Sequence, residues 1–191
     1  MKIGLIVCSQ RKPRAGLQIS QLVLQSIQSL QTADVSIEPI DLAEWQLPLC
    51  DEPGIPSQIG SAREYVHEHT RRWSAEISRF DGFVFVTPQY NWGYPAGVKN
   101  AIDYLFNEWK GKVGMVVSYG GHGGGKAAEQ LVQVLRGVRM KPVERTVGLT
   151  FPSREFLARA AAGEELSLEG VWEGEMEEVK RLFIEMVNTT K

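Results

Sequence analysis

Cysteine is nearly absent. Cys8 and Cys50 are the only two in the chain, too few for a disulfide framework, and a reducing, cytoplasmic compartment is expected. Long apolar runs are missing as well. Stretches such as Phe83–Val86 and Val113–Val117 fall far short of the roughly 20 residues a membrane helix requires, so no membrane span is expected. Excess charge of either sign is lacking, the net being −2 at neutral pH, which removes the electrostatic case for nucleic acid or an anionic membrane as partner. Met1-Lys2-Ile3-Gly4-Leu5 runs straight into strand-like sequence, leaving no room for a signal peptide. The formal glycosylation acceptor Asn188-Thr189-Thr190 is discounted for the same reason. Internal repeats and low-complexity segments are not found. What is present is a chain of 191 residues, 43% hydrophobic and 23% charged, which suits a single domain spanning 1–191 with a full-sized core.

Short apolar runs alternate with helical periodicity along this chain. Ile3–Cys8 reads as a strand buried on both faces, and Leu17, Ile19, Leu22, Val23, Ile27 and Leu30 recur at helical spacing after it. Val35–Ile40 is the second strand. Residues 43–60 hold Pro48, Pro53, Pro56, Gly54 and Gly60 and read as an irregular connection. From Ser61 to about Phe80, Tyr65, His69, Trp73 and Ile77 repeat every four residues and predict a helix. "DGFVFVTP" is the third strand, Tyr94-Pro95 opens a helix, and "KVGMVVSY" is the fourth strand. A helix follows from Lys126 to about Gly137, then a fifth strand at Pro142–Leu149 and a closing helix at Trp172–Val187. The alternation implies an α/β fold: a five-stranded parallel sheet with helices on both faces. For five strands the expected order is 2-1-3-4-5, which brings the loops after strands 1, 3 and 4 to one site at the carboxyl edge.

Each of those loops carries a different chemistry. "CSQRKPRAGLQIS" offers the Ser9 hydroxyl, the guanidinium groups of Arg11 and Arg14, and the amides of Gly16–Gln18 at a helix start, a set suited to a phosphate monoester. "TPQYNWGYP" places Tyr90, Trp92 and Tyr94 in a turn beside the amides of Gln89 and Asn91, as a flat, heteroaromatic, hydrogen-bonding ligand would need. "SYGGHGGGKAAEQ" spells G-x-x-x-x-G-K from Gly120 to Lys126. It is no triphosphate loop, because Ala127 stands where a serine or threonine must reach magnesium, and the loop follows the fourth strand rather than the first. Its glycines instead let backbone amides approach a ligand and favour negative charge. A phosphate at one end, a plane of aromatics and amides, and an electropositive nest at the far edge together outline flavin mononucleotide (FMN). In this reading His122 and the nest amides sit at the reducible edge of the ring.

"TPQYNWGYPAGVKNAIDYLFNEWKGK" followed by "VVSYGGHGGGKAAEQL" closely resembles the NADPH-dependent FMN reductase family, in particular its quinone and azo-dye reductases; "CSQRKPRAG" matches the first loop less closely, with Cys8 where the family often has glycine. The resemblance covers roughly residues 2–150, while 151–171 match only loosely. It implies a flavodoxin-like fold, a homodimer or homotetramer with the flavin near a subunit interface, and FMN as cofactor with NADPH or NADH as co-substrate. It also implies that Ser9, Arg11 and Arg14 hold the phosphate with help from Leu17 and Gln18. Pro88, Gln89, Tyr90 and Asn91 would line the ring and ribityl chain, and Ser118, Tyr119, Gly120, Gly121 and His122 would surround the pyrimidine edge. Trp92, Tyr94 and Trp109 are candidates for interface contacts, and Cys8 for redox sensitivity. The implied chemistry is ping-pong hydride transfer from NADPH through the flavin to a quinone, azo compound or free flavin. No obligatory acid or base is needed, although His122 or Tyr119 could supply a proton. The rival reading, a flavodoxin-like electron carrier acting through a protein partner, fits the near-neutral charge less well. No metal site is expected, since His67 and His69, two apart on a helix, should point to different faces. Lys99 and Asp103 read as a surface pair and Lys126 as a solvated first-turn lysine.

Overall fold

The computed structural model describes residues 1–30 and 34–189; Thr190 of the formal glycosylation acceptor lies outside them. Strand β1 (Lys2–Val7) leads into helix α1 (Gly16–Gln28), and β2 (Ser36–Asp41) into the single turn α2 (Leu42–Trp45). Helix α3 (Glu68–Ser78), β3 (Gly82–Pro88), α4 (Ala96–Asp103), β4 (Val113–Gly120) and α5 (Gly125–Gly137) follow. The remainder comprises β5 (Lys141–Pro142), β6 (Val147–Thr150), α6 (Arg154–Ala162) and α7 (Glu173–Asn188). All strand pairings are parallel and the order is β2-β1-β3-β4-β5, with β6 also paired to β4. The chain therefore has the expected doubly wound sheet, and the carboxyl ends of β1, β3 and β4 lie side by side.

Alternation along the strands sorts the core into two layers. Ile3, Leu5, Val7, Val84 and Val86 face α1 and α7, whereas Ile6, Cys8, Phe83 and Phe85 face α3, α4 and α5. The second layer is aromatic: Phe83 lies 5.1 Å from Trp109, edge to face, and Trp109 lies 6.3 Å from Trp73. Trp109 is wholly buried, with its indole N–H donating to the Ile102 carbonyl at 3.2 Å. It is a core residue and not the interface contact expected of it. Cys8 is wholly buried too. Burial pushes its thiol far above the usual range, which argues against the redox sensitivity expected there.

Three elements differ from expectation. The fifth strand is split: the Lys141 and Val143 amides donate to the Lys112 and Gly114 carbonyls at 2.8 Å, and the chain then leaves β4 before re-pairing at Val147. Helix α3 starts seven residues late, at Glu68. Ahead of it, the Tyr65 hydroxyl reaches Glu108 at 3.0 Å, and the Val66 and His67 amides donate to Glu52 at 2.6 and 3.3 Å. His67 consequently has extended backbone, and its ring stacks on that of His69 at 5.1 Å instead of pointing to another face. Among the described residues no group of three or more His, Cys, Asp or Glu side chains is arranged to hold a metal ion. Finally, residues 154–162 form the unanticipated helix α6. Ser153 caps it by accepting from the Phe156 amide, and Gly163 ends it at φ +72°.

Candidate functional site

A cleft opens at the carboxyl edge of the sheet. Its floor is made by Ser9, Arg11, Arg14 and Ala15 after β1, Pro88, Gln89 and Tyr90 after β3, and Tyr119, Gly120 and Gly121 after β4. Phe151 and, from α6, Leu157, Ala160 and Ala161 roof it. The cleft holds about 190 Å³ and continues across Gly121, Phe151 and Leu157 into a groove of about 340 Å³ lined also by His122, Ser153 and Arg154. Pockets for small-molecule ligands run to roughly 300–1,000 Å³, a range that the two parts of the trough reach together.

The β1 end is built for an anion. Helix α1 begins at Gly16 with no capping side chain and no acid in its first turn, leaving its leading amides and dipole uncompensated from within. Arg11 forms no ion pair among the described residues and stands over the Tyr90 ring at 5.2 Å. Ser9 is buried, with its hydroxyl 3.0 Å from that of Tyr90. A Cβ on Gly16 would lie 2.7 Å from the Tyr119 hydroxyl and 2.8 Å from Ser9 Cβ, so only glycine lets the helix start this close to the floor. Burial pushes the Tyr119 phenol far above its ordinary pKa; it stays protonated and can donate a hydrogen bond but not serve as a base.

Arg14 behaves differently from Arg11. Its fork closes on Asp41 at the end of β2, at 2.8 and 2.5 Å, and it also donates to the Ser9 carbonyl. Both side chains of the pair are nearly buried, and Asp41 further accepts from the Ala43 amide at 3.0 Å. Arg14 thus fastens the loop to the neighbouring strand, which leaves Arg11 as the cation available to a ligand.

The other expected residues divide in the same way. Gln89 lines the cleft, but its side-chain carbonyl accepts from the Lys126 and Ala127 amides at 3.1 and 3.3 Å and so plugs the start of α5. Gln89 thus takes the two amides that open α5, while the backbone of Gly120 and Gly121 stays on the cleft floor. Ser118 is wholly buried and donates to the Gly123 carbonyl at 2.7 Å, holding a turn in which Gly123 and Gly124 take φ +72° and +78°. Asn91, at φ +46°, is part of the exposed Tyr90–Gly93 turn. Leu17 points away from the cleft into a depression with Leu24 and Pro39. The Gln18 side chain donates to the Glu164 carbonyl at 2.9 Å and accepts from the Leu166 amide at 2.8 Å, buttressing the segment after α6. His122 lies in the adjoining groove.

Sequence reasoning missed the roof altogether. The available signal was local: Ser153 and Gly163 bracket an alanine-rich stretch at the offsets of helix caps. Around the roof, Phe151, Phe156 and Trp172 form a small aromatic cluster with ring centres 5.4 to 6.3 Å apart. The Trp172 indole anchors it by donating to the Thr150 carbonyl at 2.6 Å.

The donor set suits a phosphorylated flavin: a hydroxyl, an unpaired guanidinium and bare helix amides at one end, glycine backbone and aromatic surface at the other. The family model described as NADPH-dependent FMN reductase matches residues 1–152. An NAD(P)H-dependent FMN reductase of Saccharomyces cerevisiae is 47% identical over 148 residues, covering 75% of this chain and 78% of that protein. A quinone reductase of Pseudomonas putida is 29% identical over 156 residues, covering 76% and 77%. Among solved structures, the flavoenzyme NAD(P)H:(acceptor) oxidoreductase FerB from Paracoccus denitrificans superposes with a TM-score of 0.71 at 22% identity, covering 98% of this chain and 97% of that one.

Proposed function

The chain belongs to the NADPH-dependent FMN reductase family, and on that premise we propose that it is an oxidoreductase that passes electrons from NADPH to a quinone, azo compound or free flavin by a ping-pong mechanism. FMN, the family's cofactor, supplies the hydride chemistry when bound; the protein supplies position, polarity and exclusion of water. Ser9, Arg11 and the leading amides of α1 hold the phosphate. Arg14, locked on Asp41, keeps that loop in place. Pro88, Tyr90 and the free amide nitrogen of Gln89 line the ribityl chain and ring. The Gly120–Gly121 backbone approaches the pyrimidine edge, and His122 stands beyond it. Tyr119 acts as a neutral donor beneath the cleft.

The observation that carries this reading is the bare N-terminus of α1 facing an arginine with no acid partner. A helix start without cap or acid, next to an unpaired cation, is a site for a dianion and a poor arrangement for anything else. Trp92 is 71% exposed at the rim. With Tyr94 it supports assembly into a homodimer or homotetramer that covers the open side of the flavin. The decisive measurement is anaerobic: protein loaded with FMN should bleach on addition of NADPH and regain its yellow colour with a quinone. Bound FMN that stayed oxidised under excess NADPH and NADH would leave only the electron-carrier reading.

A further inference from the structure

The groove beyond Leu157 carries a guanidinium of its own, that of Arg154. It is lined by Gly121, His122, Phe151, Ser153, Arg154 and Leu157 and is continuous with the flavin cleft. Arg154, at the first position of α6, makes no ion pair and no ring contact among the described residues. Of the other arginines, only Arg63 is likewise free of both. The Ser153 oxygen accepts from the Phe156 amide, so its hydroxyl hydrogen remains available to donate. His122 has no hydrogen-bond partner among the described residues and shares the same groove. A guanidinium, an imidazole and a hydroxyl converging on one groove form a second phosphate-binding set, separate from Ser9, Arg11 and α1.

Resting on the reductase reading, we propose that Arg154, assisted by Ser153 and His122, holds the adenosine 2′-phosphate of NADPH and so sets the preference for NADPH over NADH. A terminal phosphate monoester carries nearly two charges and three acceptor oxygens, which a planar fork and a hydroxyl can satisfy together. NADH has a neutral ribose hydroxyl at that position and gains nothing from the same guanidinium. The site belongs to α6, so the nucleotide's phosphate and the roof of the flavin cleft are held by one element.

The test uses FMN-loaded protein and its R154Q variant. Calorimetric titration with adenosine 2′,5′-bisphosphate should show about tenfold weaker binding in the variant, with 5′-AMP binding unchanged. In steady state, the ratio of kcat/KM for NADPH to that for NADH should fall about tenfold, driven by KM for NADPH. Equal losses for bisphosphate and 5′-AMP would assign Arg154 to a phosphate common to both nucleotides and overturn the proposal, as would no loss for either. Flavin content and melting temperature report folding of the variant. If the wild-type flavin were not reduced by either nucleotide, the reductase reading would fail. A bisphosphate preference could still be measured independently by calorimetry.

Discussion

Helices α1 and α5 begin alike and end up in opposite states. Each follows a strand at the centre of the sheet, each opens on glycine, and neither has a capping residue of its own or an acid in its first turn. At α5 a side chain from another loop fills the vacancy: Gln89 accepts from two amides and cancels the positive end. At α1 no side chain does so, and Arg11 adds further positive charge beside it. One helix start is closed by the protein and the other is left for a ligand. A glycine-rich sequence therefore says that backbone can approach something, and only the surrounding side chains decide whether that something is internal or external.

Substitutions should separate the two. The largest effect is expected from Gly16→Ala. Its methyl group would meet Tyr119 and Ser9 Cβ inside 3.0 Å, lowering FMN affinity on the order of a hundredfold and stability by about 1–3 kcal/mol. Flavin titration and thermal melting would show both. Next is Arg11→Ala, which should weaken FMN binding about tenfold or more while changing turnover at saturating FMN much less. Unchanged flavin affinity would remove the phosphate from the β1 loop. Gln89→Leu should do the reverse, lowering stability by about 1 kcal/mol through the two stranded amides and altering FMN affinity less than Arg11→Ala does. A greater flavin loss than in the arginine variant would mean that the two helix starts do not divide the labour as argued.

The smallest effect on flavin binding lies away from both. Burial lowers the Lys112 ammonium from an ordinary 10.5 to about 8. The unfolded chain thus holds the extra proton between those values, and stability should rise with pH from about 8 towards 10.5. Lys112→Met should flatten that rise in denaturant titrations across the range, with FMN affinity untouched.

Much of this was legible from sequence because it depends on local pattern. Continuous apolar runs specify central strands, and the topology that follows from their alternation places three named loops at one edge. The topology brought the loops bearing Ser9, Arg11, Gln89, Tyr90 and Gly121 to the cleft, and the family resemblance added Tyr119, which also lines it. The partners of Arg14 and Gln89 were not legible, because Asp41 and the α5 amides lie 27 and 37 or more residues away, and their meeting depends on sheet register. Ser118 was misread for a related reason: alternation places it in the cleft or under it with equal ease, and the turn at Gly123 takes its hydroxyl. The late start of α3 came from Tyr65 and Glu52 overriding an unbroken helical period. Helix α6 escaped because alanine gives a weak hydrophobic stripe, although its caps were readable.

The roof has one more consequence, which concerns the reach of the family match. The family match ends at residue 152, just after β6 delivers Phe151 to the cleft, and Arg154 through Ala161 lie beyond it. The floor of the cleft and the loops after β1, β3 and β4 lie within the matched residues. The covering helix lies beyond that match, packs Ala160 into the main core, and is braced by Gln18 and Trp172. The cleft is thus walled by one stretch that the family model describes and one that it does not.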